Sequence, residues 1–174
     1  QAIFDFAARH RITDIFIPKG IYVVDQILVS PGLRIYGETG TVLKKIAGAK
    51  KSSRIFTTQK RVQPLSTDSP LLTIENLTFD GSRTAQGAYT NYQLEHQAMV
   101  FVHGDKKLPG RTKILIKNCD FKEGVGDAIH IYCNVDATVL NCTAHNVFRG
   151  GVTITGGNTK VLVNNFRVTG KEHP

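Results

Sequence analysis

At 174 residues the chain is long enough to bury one substantial core and too short for two comfortable ones. An apolar fraction of 41% and a charged fraction of 21% exclude a disordered polymer, and runs such as Ile15-Phe16-Ile17 and Ile27-Leu28-Val29 are far too short to span a bilayer. Lysine and arginine outnumber aspartate and glutamate by 22 to 14, a surface that attracts polyanions, yet no Cys/His finger, RNP-like aromatic segment or arginine-rich block is present, so an acidic polymer other than nucleic acid is the expected partner.

From the N-terminus, Ile3, Phe6, Ala7 and His10 recur at i, i+3, i+4 and i+7, which predicts a short amphipathic helix over residues 2–10. Short strands follow around Ile15–Ile17, Tyr22–Val24, Gln26–Val29, Leu33–Tyr36 and Thr41–Leu43, with turns at Pro18-Lys19-Gly20 and Ser30-Pro31-Gly32.

From residue 74 onward the chain repeats. Ile74-Glu75-Asn76-Leu77-Thr78-Phe79 recurs as Ile116-Lys117-Asn118-Cys119-Asp120-Phe121, as Val139-Leu140-Asn141-Cys142-Thr143-Ala144, and as Val163-Asn164-Asn165-Phe166-Arg167-Val168. The asparagines lie 42, 23 and 24 residues apart. Asparagine suits a corner because it tolerates left-handed backbone angles, and stacked coils would align the four amides as a ladder. A second strand shares the period: Asp127-Ala128-Ile129-His130-Ile131 maps onto Gly150-Gly151-Val152-Thr153-Ile154, and Ala98-Met99-Val100-Phe101-Val102 is its counterpart one coil earlier. Two strands with one period predict a solenoid of stacked coils: an all-β, right-handed parallel β-helix whose N-terminal helix caps the first coil. No cap is evident after the last coil and the chain begins at Gln1, so residues 1–174 are expected to form a single β-helix domain that is the N-terminal part of a longer one. Cys119 and Cys142 occupy equal places in the repeat and, with Cys133, lack zinc-ligand spacing, so reduced, stacked core thiols are expected.

The coil between Asn76 and Asn118 is longer than the others by about 18 residues, falling in 81–97, with Tyr89 and Tyr92, and in 103–112, with Asp105, Lys106, Lys107 and Arg111. Insertions into a solenoid become loops on one face, so Asp105, Lys106 and Tyr92 are candidate binding residues. If Ile129 and Ile131 point inward, His130 and Tyr132 point outward, and the adjacent coils are expected to place Val100 and Thr153 beside His130. Asp127 has the inward parity, so it either bonds the backbone at the strand's start or joins His130. Arg149 precedes the next strand of the same sheet, and Lys122 and Glu123 sit at the turn before Asp127. A calcium site needs several convergent carboxylates, and only Asp105, Glu123 and Asp127 are near, so no metal and no cofactor is expected.

The segment from Ile15 through Pro18-Lys19-Gly20-Ile21-Tyr22 to Val24, followed by Leu33-Arg34-Ile35-Tyr36-Gly37, resembles the opening of the pectate-lyase-like superfamily. That resemblance spans nearly the whole chain and implies the β-helix fold, which hosts lyases, hydrolases, epimerases, fructan transferases and phage tailspikes. Polygalacturonase-type members carry an Asp-Asp-Cys-Ile-Ala-Ile-like strand and a Gly-His-Gly motif one coil later. Here Gly126-Asp127-Ala128-Ile129-His130-Ile131 resembles the first, but Gly126 replaces an aspartate and Gly150 replaces the histidine. Only one carboxylate remains where that hydrolysis needs two.

The combined expectation is a secreted or surface-exposed carbohydrate-active protein acting on an acidic polysaccharide by β-elimination or uronate epimerisation. His130, Asp127 and Arg149 are the candidate catalytic residues. Tyr132, Thr153, Lys122, Asp105, Lys106 and Tyr92 are the candidate substrate contacts. The alternatives are a glycan-binding tailspike or adhesin module, for which a homotrimer is implied, and a glycoside hydrolase whose carboxylates lie outside this chain.

Overall fold

A computed structural model describes residues 1–50, 52–58, 67–87, 94 and 96–170. The helix α1 (Ala2–Arg9) comes first, and the strands then run coil by coil. The first coil is β1 (Asp14–Ile17), β2 (Gly20–Val24) and β3 (Ile27–Leu28), and the second is β4 (Arg34–Gly37), β5 (Thr41–Lys45) and β6 (Phe56–Thr57). The third is β7 (Leu72–Glu75), β8 (Thr78–Asp80) and β9 (Val100–His103); the fourth is β10 (Thr112–Lys117), β11 (Asp120–Gly124) and β12 (Ile129–Tyr132). The fifth is the long β13 (Val135–Val147) and β14 (Val152–Thr155), and β15 (Lys160–Thr169) opens the sixth.

Each strand pairs in parallel with its counterparts one coil away, so three columns form. The first runs β1-β4-β7-β10-β13-β15, the second β2-β5-β8-β11 and on to the second halves of β13 and β15, and the third β3-β6-β9-β12-β14. This is a parallel β-helix. In the first column Ile15, Ile35, Ile74, Ile116, Val139 and Val163 stand in register, one per coil, and build an inward aliphatic stack. Phe79 lies at 5.0 Å from Phe121 in a parallel stack and at 5.4 Å, edge-on, from Phe56, filling the centre with aromatic rings.

The corner between the first two columns is the asparagine position. Asn76, Asn118, Asn141 and Asn165 have φ of 57°, 53°, 51° and 52°. Their amides form the ladder: Asn118 Nδ2 donates to Asn76 Oδ1 at 3.2 Å, Asn141 to Asn118 at 3.4 Å, and Asn165 to Asn141 at 2.9 Å. Just inside it, Cys119 and Cys142 are buried and reduced, as is Cys133.

The helix forms where periodicity predicts it, but on a different face. Ile3 and Phe6 remain 59% and 48% exposed, whereas Phe4 and Ala7 enter the core, and Phe4 packs edge-on against Phe56 at 5.8 Å. The cap is also stitched by a hydrogen bond: the Leu28 N–H donates to Gln1 Oε1 at 2.8 Å, closing one edge group of the first coil.

A second asparagine corner lies between the third column and the next coil. Asn134 (φ 51°) is fully buried, and its Nδ2 donates to the carbonyls of Asp105, Leu108 and Gly110 at 2.7–2.9 Å. The 103–112 insertion is thus pinned to the coil instead of standing free. Asn158 (φ 58°) continues this corner, donating to Asn134 Oδ1 at 2.6 Å. Among the described residues no helix is long and apolar enough to cross a membrane.

Candidate functional site

Strand alternation sends every second residue of the third column outward. On β9 these are Phe101 and His103, on β12 His130 and Tyr132, and on β14 Thr153 and Thr155. The register pairs Phe101, not Val100, with His130 on one side and Thr153 with it on the other. The expected Val100 neighbour is therefore corrected: Val100 pairs with the inward Ile129 and lies in the core. Phe101 meets His130 edge-on at 5.1 Å, and His103 stacks on Tyr132 at 5.1 Å, so four rings tile two adjacent coils.

Asp127 precedes β12 and lies in the corner, where alternation no longer dictates direction. Its carboxylate is completely buried yet serves the outer face. Oδ1 accepts a hydrogen bond from Thr153 Oγ1 at 2.6 Å, while Oδ2 faces His130 Nδ1 at 3.4 Å and the Arg149 guanidinium at 3.9 Å. Among the described residues Oδ2 accepts no hydrogen bond. Of the two roles open to Asp127 from the sequence, the geometry selects the one beside His130. Gly150 eases this placement: a Cβ there would come within 3.0 Å of Thr153 Oγ1 and 3.3 Å of Asp127 Oδ1, so those side chains would have to give by a few tenths of an ångström. The place where a polygalacturonase-like motif would carry histidine is space that the aspartate and threonine use.

His130 is only 15% exposed at its side chain. Its Nε2 lies 2.7 Å from Thr155 Oγ1. Burial pushes the imidazole below its usual pKa; Asp127 opposes this, and Arg149, Arg54 and His96 reinforce it. The lowered pKa favours the neutral imidazole, the form that can accept a proton. His103 is lowered as well, again by burial first, against Asp105 and with Arg54.

Arg54 is a site residue that sequence reading misses. Its guanidinium lies over the Phe101 ring at 4.1 Å, and burial lowers its pKa. Extending the register Phe56↔Val100↔Ile129 back by two residues aligns Arg54, Ala98, Asp127 and Gly150 across four coils. The short β6 gave no visible repeat, so no periodicity marked Arg54. Thr155 is the other missed residue, and its only available signal was its outward parity with Thr153.

The remaining expected contacts are dispersed. Lys122 lies in the second column, opposite Asp80 at 4.0 Å, and takes no part in this face. Asp105 and Lys106 follow His103 at the edge of the face, with Asp105 Oδ1 engaged by the Lys107 N–H at 2.9 Å. Tyr92, with Tyr89, lies outside the described residues. Glu123 accepts the Asn146 amide at 2.9 and 3.0 Å, so it does not converge with Asp105 and Asp127. Among the described residues no group of three or more His, Cys, Asp or Glu side chains gathers as a metal site.

No curated protein matches the sequence. A solved structure similar to this chain is that of a candidate glycosyl hydrolase from Parabacteroides merdae, at 14% identity and a TM-score of 0.49, covering 97% of this chain and 86% of that one. Residues 34–168 match the family described as the right-handed β-helix region, which takes in every coil from the second onward. On that match, and on the three parallel columns it spans, the chain belongs to the right-handed β-helix family.

Proposed function

We propose that this is a carbohydrate-active protein that acts on an acidic polysaccharide at the outer face of the third column. The observation that carries the reading is a largely sequestered histidine, held between Asp127 and Thr155, on an aromatic face bordered by Arg54 and Arg149. Aromatic rings stack on sugar faces, and guanidinium groups pair with carboxylates. A formal charge of +8 draws a polyanion to the whole surface. Tyr132, with His103, is the stacking platform, backed by the buried Phe101, and Thr153 is the side chain that holds Asp127.

In this reading Arg149 neutralises a uronate carboxylate and so acidifies the C5 proton. His130 removes that proton, and Asp127 orients the ring and balances the imidazolium that forms. Expulsion of the C4 oxygen then completes β-elimination, whereas return of a proton to the opposite face completes epimerisation. Substrates of this kind place the protein outside the cell or on a surface.

The test is incubation with a panel of uronate polymers, following absorbance from new unsaturated ends and, in D2O, deuterium entry at C5. Binding of an acidic oligosaccharide to the parent, His130→Ala and Arg149→Ala completes it, at 0.15 M and 1 M salt, where the Debye length is about 8 and about 3 Å. Weaker binding by Arg149→Ala that converges with the parent at 1 M salt is expected. Binding without elimination or exchange identifies a glycan-binding module, and parental affinity in both variants places the ligand elsewhere.

A further inference from the structure

Proton abstraction at C5 leaves one contact of the site unused. Thr155 closes β14, is exposed, and holds its Oγ1 2.7 Å from His130 Nε2. The other nitrogen of the same ring faces Asp127 Oδ2 at 3.4 Å. Asp127 is fully buried, and its Oδ1 is held by Thr153 at 2.6 Å. Hydroxyl, imidazole and carboxylate thus follow one another across two neighbouring coils, in the order that acyl-transfer enzymes use on unrelated folds.

We propose that Thr155 is the nucleophile of an ester-cleaving centre, with His130 as its general base and Asp127 as the residue that positions His130. The substrate class is a carboxylic ester. That the ester is carried by a glycan rests on the reading above; the acyl-transfer chemistry does not.

Three features suit the assignment. Threonine is β-branched, so within a strand its χ1 is restricted and the hydroxyl is held toward the ring. Oδ2 of Asp127 is buried and, among the described residues, accepts no hydrogen bond, so it is open to Nδ1–H and strengthens as the ring becomes charged. Relays of this type are commonly long without substrate and tighten in the complex. Burial of His130 favours its neutral form, which leaves Nε2 able to take the hydroxyl proton.

The chemistry balances with water as the only co-reactant. Thr155 Oγ bonds to the carbonyl carbon while its proton moves to His130 Nε2. The bond from that carbon to the alcohol oxygen breaks, and the oxygen leaves with the proton from Nε2. Water then adds to the acyl-threonine, giving its proton to His130. The bond to Oγ breaks, Oγ recovers the proton, and a carboxylic acid departs.

The experiment uses the full chain and a fluorophosphonate, which phosphonylates activated hydroxyls and requires no glycan. Intact mass should show one adduct, and peptide mapping should place it on Thr155. Thr155→Ser should still be labelled and Thr155→Val should not. His130→Ala and Asp127→Asn should slow labelling by roughly a hundredfold or more, the scale of a lost general base. Because a lost buried carboxylate can also disturb folding, circular dichroism of each variant accompanies the labelling, and the Thr155 pair decides the matter alone. The labelling rate should rise with pH through one group titrating below the usual histidine value. An unlabelled parent, an adduct mapped elsewhere, or labelling of Thr155→Val at the parental rate overturns the proposal. None of these outcomes bears on proton abstraction at C5, and absence of uronate elimination does not bear on the labelling.

Discussion

Replacing Asn141 by alanine tests what the asparagine ladder contributes. Asn141 donates to Asn118 at 3.4 Å, accepts from Asn165 at 2.9 Å, and has φ of 51°. All four ladder asparagines are exposed, so the amides left behind can turn to water. The lost bonds then cost only about 0.5 kcal/mol each, the low end for a hydrogen bond. The larger cost is conformational, since a left-handed backbone costs an ordinary L-residue about 1–2 kcal/mol. Together these predict that Asn141→Ala destabilises the fold by about 2–3 kcal/mol. Asn141→Gly removes the same amide but tolerates the backbone angle, so it should cost about 1 kcal/mol less than alanine. Urea denaturation followed by circular dichroism at 25 °C measures both. An alanine variant within 0.5 kcal/mol of the parent, or a glycine variant as unstable as alanine, would refute the reasoning.

Three further outcomes follow from the interior. Lys45 is 2% exposed, its Nζ bonds the Ser53 carbonyl, and burial lowers its pKa to about 7. An ammonium that titrates near 10.4 in the unfolded chain makes the parent gain stability as pH rises from 7 toward 10, so Lys45→Met should stabilise by roughly 1–4 kcal/mol at pH 7 and by less at pH 9.5. Equal urea midpoints for Lys45→Met and parent at pH 7 would contradict this. Burial lowers His103 and His130, so the unfolded chain binds more protons near pH 6.5, and stability should fall as pH is lowered from 7 to 5. His130→Gln should flatten that dependence, and a midpoint unchanged between pH 7 and 5 in the parent argues against it. Thiol titration of the unfolded protein should count three groups, as Cys119, Cys133 and Cys142 are all reduced, and a lower count would reveal a disulfide.

The architecture was legible because a coil is built from local rules repeated at a fixed interval. Left-handed corners select asparagine, inward positions select Val and Ile, and the recurrence of both at 23 to 24 residues dictates stacking. The resemblance to the pectate-lyase-like superfamily carries over at the level of the fold. So do the ladder, the stacked cysteines and the outward parity of His130 and Tyr132, since each depends on position within one coil.

What the tertiary structure alone decided lies between coils or at corners. Asp127 stands outside the strand, where no alternation predicts its direction, and it turns to the face beside Gly150, which adds no side chain to crowd it. The helix chose Phe4 and Ala7 over Ile3 and Phe6 because the first coils present Phe56 to that side. Asn134 became a buried hub because the inserted loop folds back over it, a contact spanning 24 to 29 residues. Arg54 over Phe101 and Thr155 against His130 join residues 47 and 25 apart in sequence. Such pairs meet only when separate coils stack about 4.8 Å apart, so the site is a property of the stacked coils rather than of any one segment.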